Sequence, residues 1–415
     1  MKKIRIKLHW QIFIALVLGV LFGLYLKEQV DWVEWIGEVF LRGLKMIIIP
    51  IILTSIISAI TNIGSAGNIG RLGLKTIIYY ISTSTLAILT GLILVNIIRP
   101  GAGADLGLTG DVEGFALVEK SLGQTFIEMI PVNIFKALVE GKMLSIILFA
   151  FLFGFVITQI NKKHKEILTD FFNASFEAMM KLTMIIIKLA PLGIFGIIAG
   201  VVAQTENLAE LALRMGEYMI TVIAGLSIHC FITLPLILLI LAKVNPLKHF
   251  QAVSTPLLTA FSTSSTMATL PLTLDAVEHN DGVSRKITGF TLPLGATINM
   301  DGTALYECVA AVFIAQAYGL DLSLFQQALV VITALLASIG AAGVPMAGMV
   351  MITIILSAIG LPLEAIGLII SVDRILDMFR TATNVWSDTI GALVVARTEG
   401  EVFNVSLTGS GKGKI

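Results

Sequence analysis

The segment DRILDMFRTATNVWSD, residues 373–388, places five ionisable side chains inside the last long apolar run of the chain, 364–396. Its polar residues are spaced largely three or four positions apart, and on a helix this spacing gathers them on one face. Charges at membrane depth are costly and are seldom present without a partner and a purpose. A stripe that carries both signs therefore indicates a site for a ligand that is itself zwitterionic or is accompanied by ions.

Composition indicates an integral membrane protein. Of the 415 residues, 56% are hydrophobic and 13% are charged, whereas soluble domains average about 25% charged residues. The mean hydropathy is +0.92, and a formal net charge of zero argues against a surface that binds nucleic acid. A helix needs about 20 residues to cross a bilayer, and the runs that reach or approach this length are 10–27, 36–60, 76–98, 144–160, 180–202, 216–242, 286–306 and 364–396.

Basic and acidic loops alternate along the first six runs. Residues 1–7 include four basic side chains, the loop 28–34 has three acidic ones, and 162–165 has three lysines. Because cytoplasmic loops carry an excess of lysine and arginine, this order predicts a multi-pass protein with both termini in the cytoplasm.

Residues 251–283 and 325–360 each contain two apolar arms around a helix-breaking centre. The first centre is the hydroxyl-rich 262–266, and the second is the Gly- and Pro-containing 338–345. Each arm is too short to cross the bilayer, so we predict two re-entrant helical hairpins whose tips meet inside the membrane. A span with polar residues follows each one, which indicates an inverted repeat with a binding site near the midplane. Two bent core helices are the alternative.

Four ordered motifs carry a resemblance to a known family. They are Ser264–Thr266 before Ala268-Thr269-Leu270-Pro271, then Asn299–Thr303, then Ser338–Pro345, and finally Asp377–Thr381 with Asn384 and Asp388. In this order they resemble the first hairpin tip, the unwound seventh helix, the second hairpin tip and the eighth helix of the glutamate transporters. That family, the dicarboxylate/amino acid:cation symporters, is resembled over nearly the whole chain.

The resemblance implies an all-α polytopic membrane protein with eight transmembrane helices, two re-entrant hairpins and inverted repeats, located in the plasma membrane. Helices 1–2 (residues 1–75) and 4–5 (101–210) are expected to form a scaffold that assembles a homotrimer. Helix 3 (76–100) and the region from helix 6 to helix 8 with both hairpins (211–415) are expected to form a mobile transport domain. The second hairpin is expected to act as the extracellular gate of an elevator-type movement.

The charged stripe offers groups complementary to an acidic amino acid. Arg380 presents a planar fork that can bind a carboxylate through two hydrogen bonds, and the resemblance assigns it the substrate's side-chain carboxylate. Asp377 can accept from a substrate ammonium, and the half-helix N-terminus at 264–266 suits the α-carboxylate. An internal ion pair that only holds helices together is the alternative for Asp377 and Arg380. The candidate substrate-binding residues are Ser264, Ser265, Thr266, Thr303, Val344, Gly348, Asp377, Arg380, Thr381 and Asn384.

Sodium prefers oxygen ligands, including carbonyls freed where helices break. The resemblance implies one site at Asp388 and Asn384, a second on backbone near Thr297 and the second hairpin tip, and a third at Asp301. The third site also includes residues of the pattern Tyr79–Ser84. At the second site, this chain has Ala341 where the family often has a threonine. No cofactor is expected besides sodium as a cotransported ligand. The candidate sodium ligands are Tyr80, Thr83, Ser84, Gly295, Thr297, Asn299, Met300, Asp301, Ser338, Ile339, Ala341, Asn384 and Asp388.

Two departures from the family pattern concern charge. Archaeal members carry an arginine where this chain has Ser264, and mammalian members carry one where it has Met378. Arg374, one turn before Met378, can supply that charge or instead pair with Asp373 or Asp377. Glu307 resembles a glutamate of the mammalian branch that is linked to proton cotransport, and a carboxyl group in an apolar helix can carry a proton at neutral pH.

The sequence therefore predicts a symporter, and not an enzyme, that takes up L-glutamate or L-aspartate with sodium, with Glu307 as the candidate proton carrier. A proton-coupled C4-dicarboxylate carrier is the alternative, and Asp377 argues against it because a substrate without an ammonium leaves that carboxylate unpaired. A hydrolase built on a hairpin serine needs a nearby base, and no histidine lies near either tip in sequence. His229 and His249 are expected to be packing or span-end residues.

Overall fold

The computed structural model describes residues 8–64, 70–103, 127, 129–204, 208–340, 347–363, 365–403 and 405. Within these ranges the fold is all-helical, without a β-strand. In the first half of the chain the described residues form a 3-10 turn, Lys27–Gln29, and seven α-helices, which are α1 Leu8–Tyr25, α2 Asp31–Gly64, α3 Gly70–Ile98, α4 Ile134–Glu140, α5 Met143–Gln159, α6 Lys162–Lys188 and α7 Ala190–Gln204. The long α2 packs against α5, α6 and α7, and α1 packs against α7.

The second half starts with α8 Leu208–Ile228, which continues through a π-helical turn His229–Thr233, the short α9 Leu234–Ile237 and a second π-helical turn Leu238–Ala242. The helices that follow are α10 Pro246–Ala252, α11 Ser254–Thr263, α12 Thr266–Asp275 with a π-helical turn Ala276–Asp281, α13 Arg285–Ile298, α14 Asp301–Ala317, α15 Leu324–Gly340, α16 Ala347–Ile359 and α17 Ile366–Thr398.

Two of the predicted apolar runs have the wrong limits. The run 180–202 is only part of a helical pair, α6 and α7, which are bent by 52° relative to each other. The first turns of α6 are rich in charged residues, and hydropathy alone therefore missed them. The run 286–306 extends to Ala317 and is interrupted between α13 and α14. The stretch after Glu307 is apolar and buried, and it continues the helix to Ala317.

In the described part of the chain, four helical stretches are long and apolar enough to span a membrane by length and composition, namely Asp31–Asn62, Arg71–Ile98, Ala209–Ala242 and Arg285–Ala317, and the bent pair α6–α7 can add a fifth. The apolar parts of α1, α5 and α15 are shorter. The charged α17 is buried at its centre by α8, α11, α13 and α14. The second half of the chain therefore contains helices that are long enough to span a membrane and that surround a buried, charged helix.

The first predicted helix breaker is a turn between α11 and α12, two helices of ten residues each that contact one another. Ser264 adopts the left-handed conformation with φ of 52°. Ser265 is extended, and its side chain caps α12 by accepting from the Ala268 amide at 3.2 Å. Helices α15 and α16 also contact one another. Of the second predicted breaker, residues 338–340 form the end of α15, and 341–345, with Ala341 and Val344, lie outside the described residues.

Candidate functional site

Arg380 is the centre of the charged stripe on α17. Its side chain is 1% exposed, and its Nη2 atom lies 2.8 Å from Asp377 Oδ1 and 3.0 Å from Asp373 Oδ1. Among the described residues, Nε and Nη1 of this guanidinium have no hydrogen-bond partner. A buried arginine with two unused donors is costly unless a further acceptor arrives. The free edge of the fork therefore has the geometry to accept a carboxylate from a ligand.

Arg380 is enclosed by residues of α14 and α16. Its Cζ atom lies 3.8 Å from the centroid of the Tyr306 ring. A Cβ atom at Gly348 would approach Nη1 to 2.7 Å, and one at Gly302 would approach the Arg380 carbonyl oxygen to 2.6 Å. Both glycines are therefore needed for close packing around this arginine. The candidate residue Gly348 is thus in contact with the guanidinium.

Two neighbouring charges complete the cluster. Arg374 is 27% exposed, and its Nη1 atom lies 3.7 Å from Asp377 Oδ2. Asp373 is fully buried and pairs with Arg380. Arg374 therefore pairs with Asp377, at a distance longer than that of a hydrogen bond. Sequence reasoning missed Asp373 as a partner of Arg380, although their separation of seven residues, two helical turns, places them on one face.

The hydroxyl-rich turn contacts α13, and the interruption after α13 contacts α17 next to this cluster. Ser264, Ser265 and Thr266 are all buried, and Thr266 Oγ1 donates to the Ala296 carbonyl at 3.0 Å. On α17, Asn384 accepts from the Gly302 amide at 2.7 Å. Its amide group lies 3.2 Å both from Thr303 Oγ1 and from Met300 Sδ. The residues named by the second and fourth motifs are therefore held together in one buried polar region, in which Thr381 is buried too.

A first group of candidate cation ligands surrounds Asp388. This carboxyl group is 2% exposed, and its Oδ1 atom accepts from Asn299 Nδ2 at 2.9 Å. A Cβ atom at Gly295 would lie 2.4 Å from Asp388 Oδ1 and 2.6 Å from the Tyr80 hydroxyl. Only glycine at this position leaves room for both oxygen atoms. Tyr80, expected at Asp301, donates to the Thr291 carbonyl at 2.7 Å and lies here instead.

A second group surrounds Asp301, which is fully buried at the start of α14. Ser84 donates to Oδ1 at 2.6 Å and Thr83 at 3.3 Å, so these predicted partners are brought together. Ser387 donates to Oδ2 at 2.6 Å, and His229 Nε2 lies 3.0 Å from the same atom. Sequence reasoning missed both. His229 is 72 residues from Asp301 along the chain, and no local pattern connects them.

The remaining predicted cation ligands are not assembled by side-chain contacts. Thr297 is exposed and donates to the Leu294 carbonyl of its own helix at 2.9 Å, and Ser338 likewise donates to Leu335 at 2.8 Å. Ile339 is half-buried and packs against apolar side chains. Within the described part of the chain, no group of three or more His, Cys, Asp or Glu residues could hold a metal ion. The hydroxyl, amide and carbonyl oxygens of this region suit a hard monovalent cation.

Glu307 follows Tyr306 on α14 and is fully buried. Neither of its carboxyl oxygens has a hydrogen-bond partner among the residues that the structure describes. An isolated ionised carboxylate is expensive in such a place. The position therefore suits a carboxyl group that binds and releases a proton.

An apolar cavity of about 580 Å³, whose lining does not include Arg380, lies between the α8–α9 region, α10, α11 and α17. Its lining includes Cys230, Phe231, Leu258 and Trp386 and contains no charged side chain. It therefore lacks the groups that a charged ligand requires, and the polar region around Arg380 remains the candidate site.

Comparison with known proteins agrees with the motifs. The profile of the sodium:dicarboxylate symporter family matches residues 8–398. Excitatory amino acid transporter 3 of Mus musculus is 38% identical over 94% of this chain and 85% of its own length. The proton/glutamate-aspartate symporter of Escherichia coli strain K12 is 35% identical over 96% and 94%. The proton/sodium-glutamate symport protein of Geobacillus stearothermophilus is 35% identical over 96% of each chain. The chain belongs to the sodium:dicarboxylate symporter family.

Proposed function

We propose that the protein is a secondary active symporter that takes up L-glutamate or L-aspartate together with sodium ions and protons. The observation that carries the proposal is the buried guanidinium of Arg380, which is anchored through Nη2 and keeps Nε and Nη1 free among the described residues. The names of the relatives, which include glutamate-aspartate and proton/sodium-glutamate symporters, support the same substrate class and ions.

The substrate fits the site by charge. Its side-chain carboxylate binds the free edge of the Arg380 guanidinium, and its ammonium group binds the carboxylate of Asp377. The α-carboxylate accepts hydrogen bonds from the backbone amides at the N-terminus of α12, next to Ser264–Thr266. Further hydrogen bonds and contacts come from Thr303, Val344, Gly348, Thr381 and Asn384. An internal ion pair alone would not account for the unused donors of Arg380.

Sodium ions bind, in this proposal, at the two oxygen-rich groups around Asp388 and Asp301. The close approach of Asp388 and Tyr80 at Gly295, and the hydroxyl groups of Ser84 and Thr83 at Asp301, support these positions. A further ion is held by backbone near Thr297 and the link between α15 and α16. Glu307 carries the proton, since its carboxyl oxygens have no partner within the described residues.

The transport cycle is proposed to follow an elevator-type movement in a homotrimer. Helices of residues 1–75 and 101–210 form the scaffold, and 76–100 and 211–415 form the transport domain. Eight helices cross the plasma membrane, α11–α12 and α15–α16 are re-entrant hairpins, the second hairpin is the gate, and both termini are cytoplasmic. The mutual packing of α2 with α5, α6 and α7, and of α14 with α3 and α17, supports this division.

Uptake of labelled L-aspartate into proteoliposomes tests the proposal. We expect accumulation when an inward sodium gradient is imposed, stimulation by an inward proton gradient, and inhibition by L-glutamate. Succinate in large excess should inhibit weakly, because it offers no ammonium to Asp377 and leaves that carboxylate unpaired. Inhibition by succinate equal to that by L-glutamate, with no requirement for sodium, would instead favour a proton-coupled C4-dicarboxylate carrier.

A further inference from the structure

His249 joins three parts of the fold outside the proposed binding site. It lies on α10 and is fully buried. Its Nδ1 atom is 3.0 Å from Oδ2 of Asp281, in the π-helical turn after α12, and its Nε2 atom is 3.1 Å from Oγ1 of Thr389 on α17. The imidazole also stacks on the ring of Trp386, with centroids 5.0 Å apart. One side chain therefore connects α10, the end of α12 and α17.

The direction of these hydrogen bonds follows from the hydroxyl group of Thr389. That hydroxyl donates its single hydrogen to the Trp386 carbonyl at 2.8 Å, so its oxygen must accept from Nε2–H of His249. The other ring nitrogen faces a carboxylate, which accepts when Nδ1 carries a hydrogen as well. His249 therefore bridges Thr389 and Asp281 through its two ring nitrogens.

The pair lies at the base of the two helices whose turn carries Ser264–Thr266. Helix α10 precedes α11, and Asp281 ends the turn that follows α12, so the contact holds both outer ends of α11–α12 together. Asn280 Nδ2 adds a second link by donating to the Ala252 carbonyl at 2.8 Å. Thr389 then attaches this base to the helical turn of α17 that contains Asp388.

Asp388 is therefore held from two sides. Asn299 contacts its carboxyl group directly at 2.9 Å, and His249 fixes the adjacent Thr389 and the nearby Trp386. The position is sensitive to small movements because Gly295 leaves no space between Asp388 and Tyr80 for even one added carbon. Arg380 lies eight residues earlier, about 12 Å along the helix axis, and has its own anchors in Asp373 and Asp377.

We infer that His249 is a positioning residue for the sodium-binding carboxylate of Asp388, acting through Thr389 and Trp386. The inference rests on the sodium coupling proposed above. Loss of the contact releases this turn of α17 from the base of α11–α12 and shifts the carboxyl group relative to Asn299 and Gly295. Binding of sodium weakens, whereas contacts of the substrate with Arg380 and Asp377 change little.

The matched variants Thr389→Val and Thr398→Val test the link. Both hydroxyl groups donate to a carbonyl three residues earlier, at 2.8 Å and 2.7 Å, but only Thr389 accepts from His249. The full-length proteins are compared in proteoliposomes for the sodium concentration that gives half-maximal aspartate uptake and for the aspartate KM at saturating sodium. We expect Thr389→Val to raise the half-maximal sodium concentration about fivefold, as for one lost hydrogen bond. The aspartate KM should stay within about twofold of the wild-type value. Thr398→Val should change neither.

A second comparison uses His249→Gln and His279→Gln. His279 makes an analogous contact with Asp275, at 3.0 Å, but is 73% exposed. We expect only His249→Gln to raise the half-maximal sodium concentration. The inference is overturned if monodisperse Thr389→Val and His249→Gln proteins keep the half-maximal sodium concentration of the wild type. It is also overturned if that concentration and the aspartate KM rise by the same factor. Wild-type protein without any sodium-stimulated uptake would instead refute the proposed function itself.

Discussion

The guanidinium of Arg380 lies over the ring of Tyr306, with its Cζ atom 3.8 Å from the ring centroid. The ring covers one face of the guanidinium, and Asp373 and Asp377 take one end of its edge. The face and the edge of the guanidinium thus contact different partners. Among the residues that the structure describes, none occupies the remaining donors Nε and Nη1, which can bind a carboxylate. With Arg374 3.7 Å from Asp377, the cluster holds two positive and two negative charges, a balance that suits a substrate carrying charges of both signs.

The first prediction concerns this aromatic contact. Tyr306→Phe keeps the ring face under Arg380 and should leave the aspartate KM within about twofold, whereas Tyr306→Leu should raise it about tenfold, because a desolvated cation–π contact contributes about 1–2 kcal/mol. Uptake assays of both variants at saturating sodium measure the difference. Equal KM values for the two variants would show that the ring face does not hold Arg380.

The second prediction compares two arginines on α17. Arg380→Lys keeps the charge but removes the planar fork, and we expect kcat/KM for aspartate to fall about 100-fold, as for the loss of a buried bidentate contact. Arg374→Lys is the control, since this side chain is 27% exposed and lies 3.7 Å from its partner. It should lower kcat/KM less than about threefold. A larger effect at Arg374 would mean that it, and not Arg380, supplies the charge for the carboxylate.

The third prediction concerns the space beside Asp388. Gly295→Ala introduces a Cβ atom 2.4 Å from Asp388 Oδ1 and 2.6 Å from the Tyr80 hydroxyl, so the oxygen atoms must separate. Gly289→Ala, on the same helix α13, meets no atom within 4 Å. We expect the first variant to lose sodium-dependent uptake and the second to retain it. Titration of uptake against sodium concentration, on protein shown to be monodisperse, distinguishes the two.

Sequence reasoning located the parts of the site that are local along the chain. Asp377 and Arg380 are three residues apart on one helix, and Asn299–Thr303 contains the interruption between α13 and α14. Ser264, in a cluster of small hydroxyl residues, is the left-handed residue between α11 and α12. Helical periodicity and helix-breaking composition act over a few residues, and such features can therefore be read from the sequence.

Contacts between distant segments could not be predicted in this way. His229 meets Asp301 and His249 meets both Asp281 and Thr389, with separations of 72, 32 and 140 residues. Each histidine, taken alone in an apolar or span-end segment, is indistinguishable from a packing residue. Only the tertiary arrangement shows that each ring contacts a buried carboxyl group. The start of α6 was missed for a different reason, because its charged first turns do not have the composition of a membrane span.

The fourth prediction concerns proton coupling at Glu307. Glu307→Gln removes the proton that can be exchanged but keeps the size of the side chain, so sodium-dependent aspartate uptake should persist while its stimulation by an inward proton gradient is lost. Asp321→Asn is a control, because this carboxyl group is 85% exposed and pairs with Arg99 at 2.6 Å. Initial rates measured over a range of external pH provide the comparison. A pH profile of Glu307→Gln identical to that of the wild type would exclude Glu307 as the proton carrier.

The last prediction concerns the ends of α3 and α17. Lys75 lies 2.7 Å and Arg71 2.6 Å from the carboxylate of Glu399, and their hydrogen bonds lower the pKa of this group from 4.5 to about 2. A lowered pKa stabilises the fold above the ordinary pKa, and the contribution disappears as the pH falls through the folded value. Glu399→Gln should therefore lower Tm at about pH 7 and by less at about pH 3. Glu177→Gln, which breaks an exposed pair with Lys181 within one helix, should change Tm little. An equal loss of Tm for Glu399→Gln at both pH values would show that the carboxylate charge does not hold the two helix ends together.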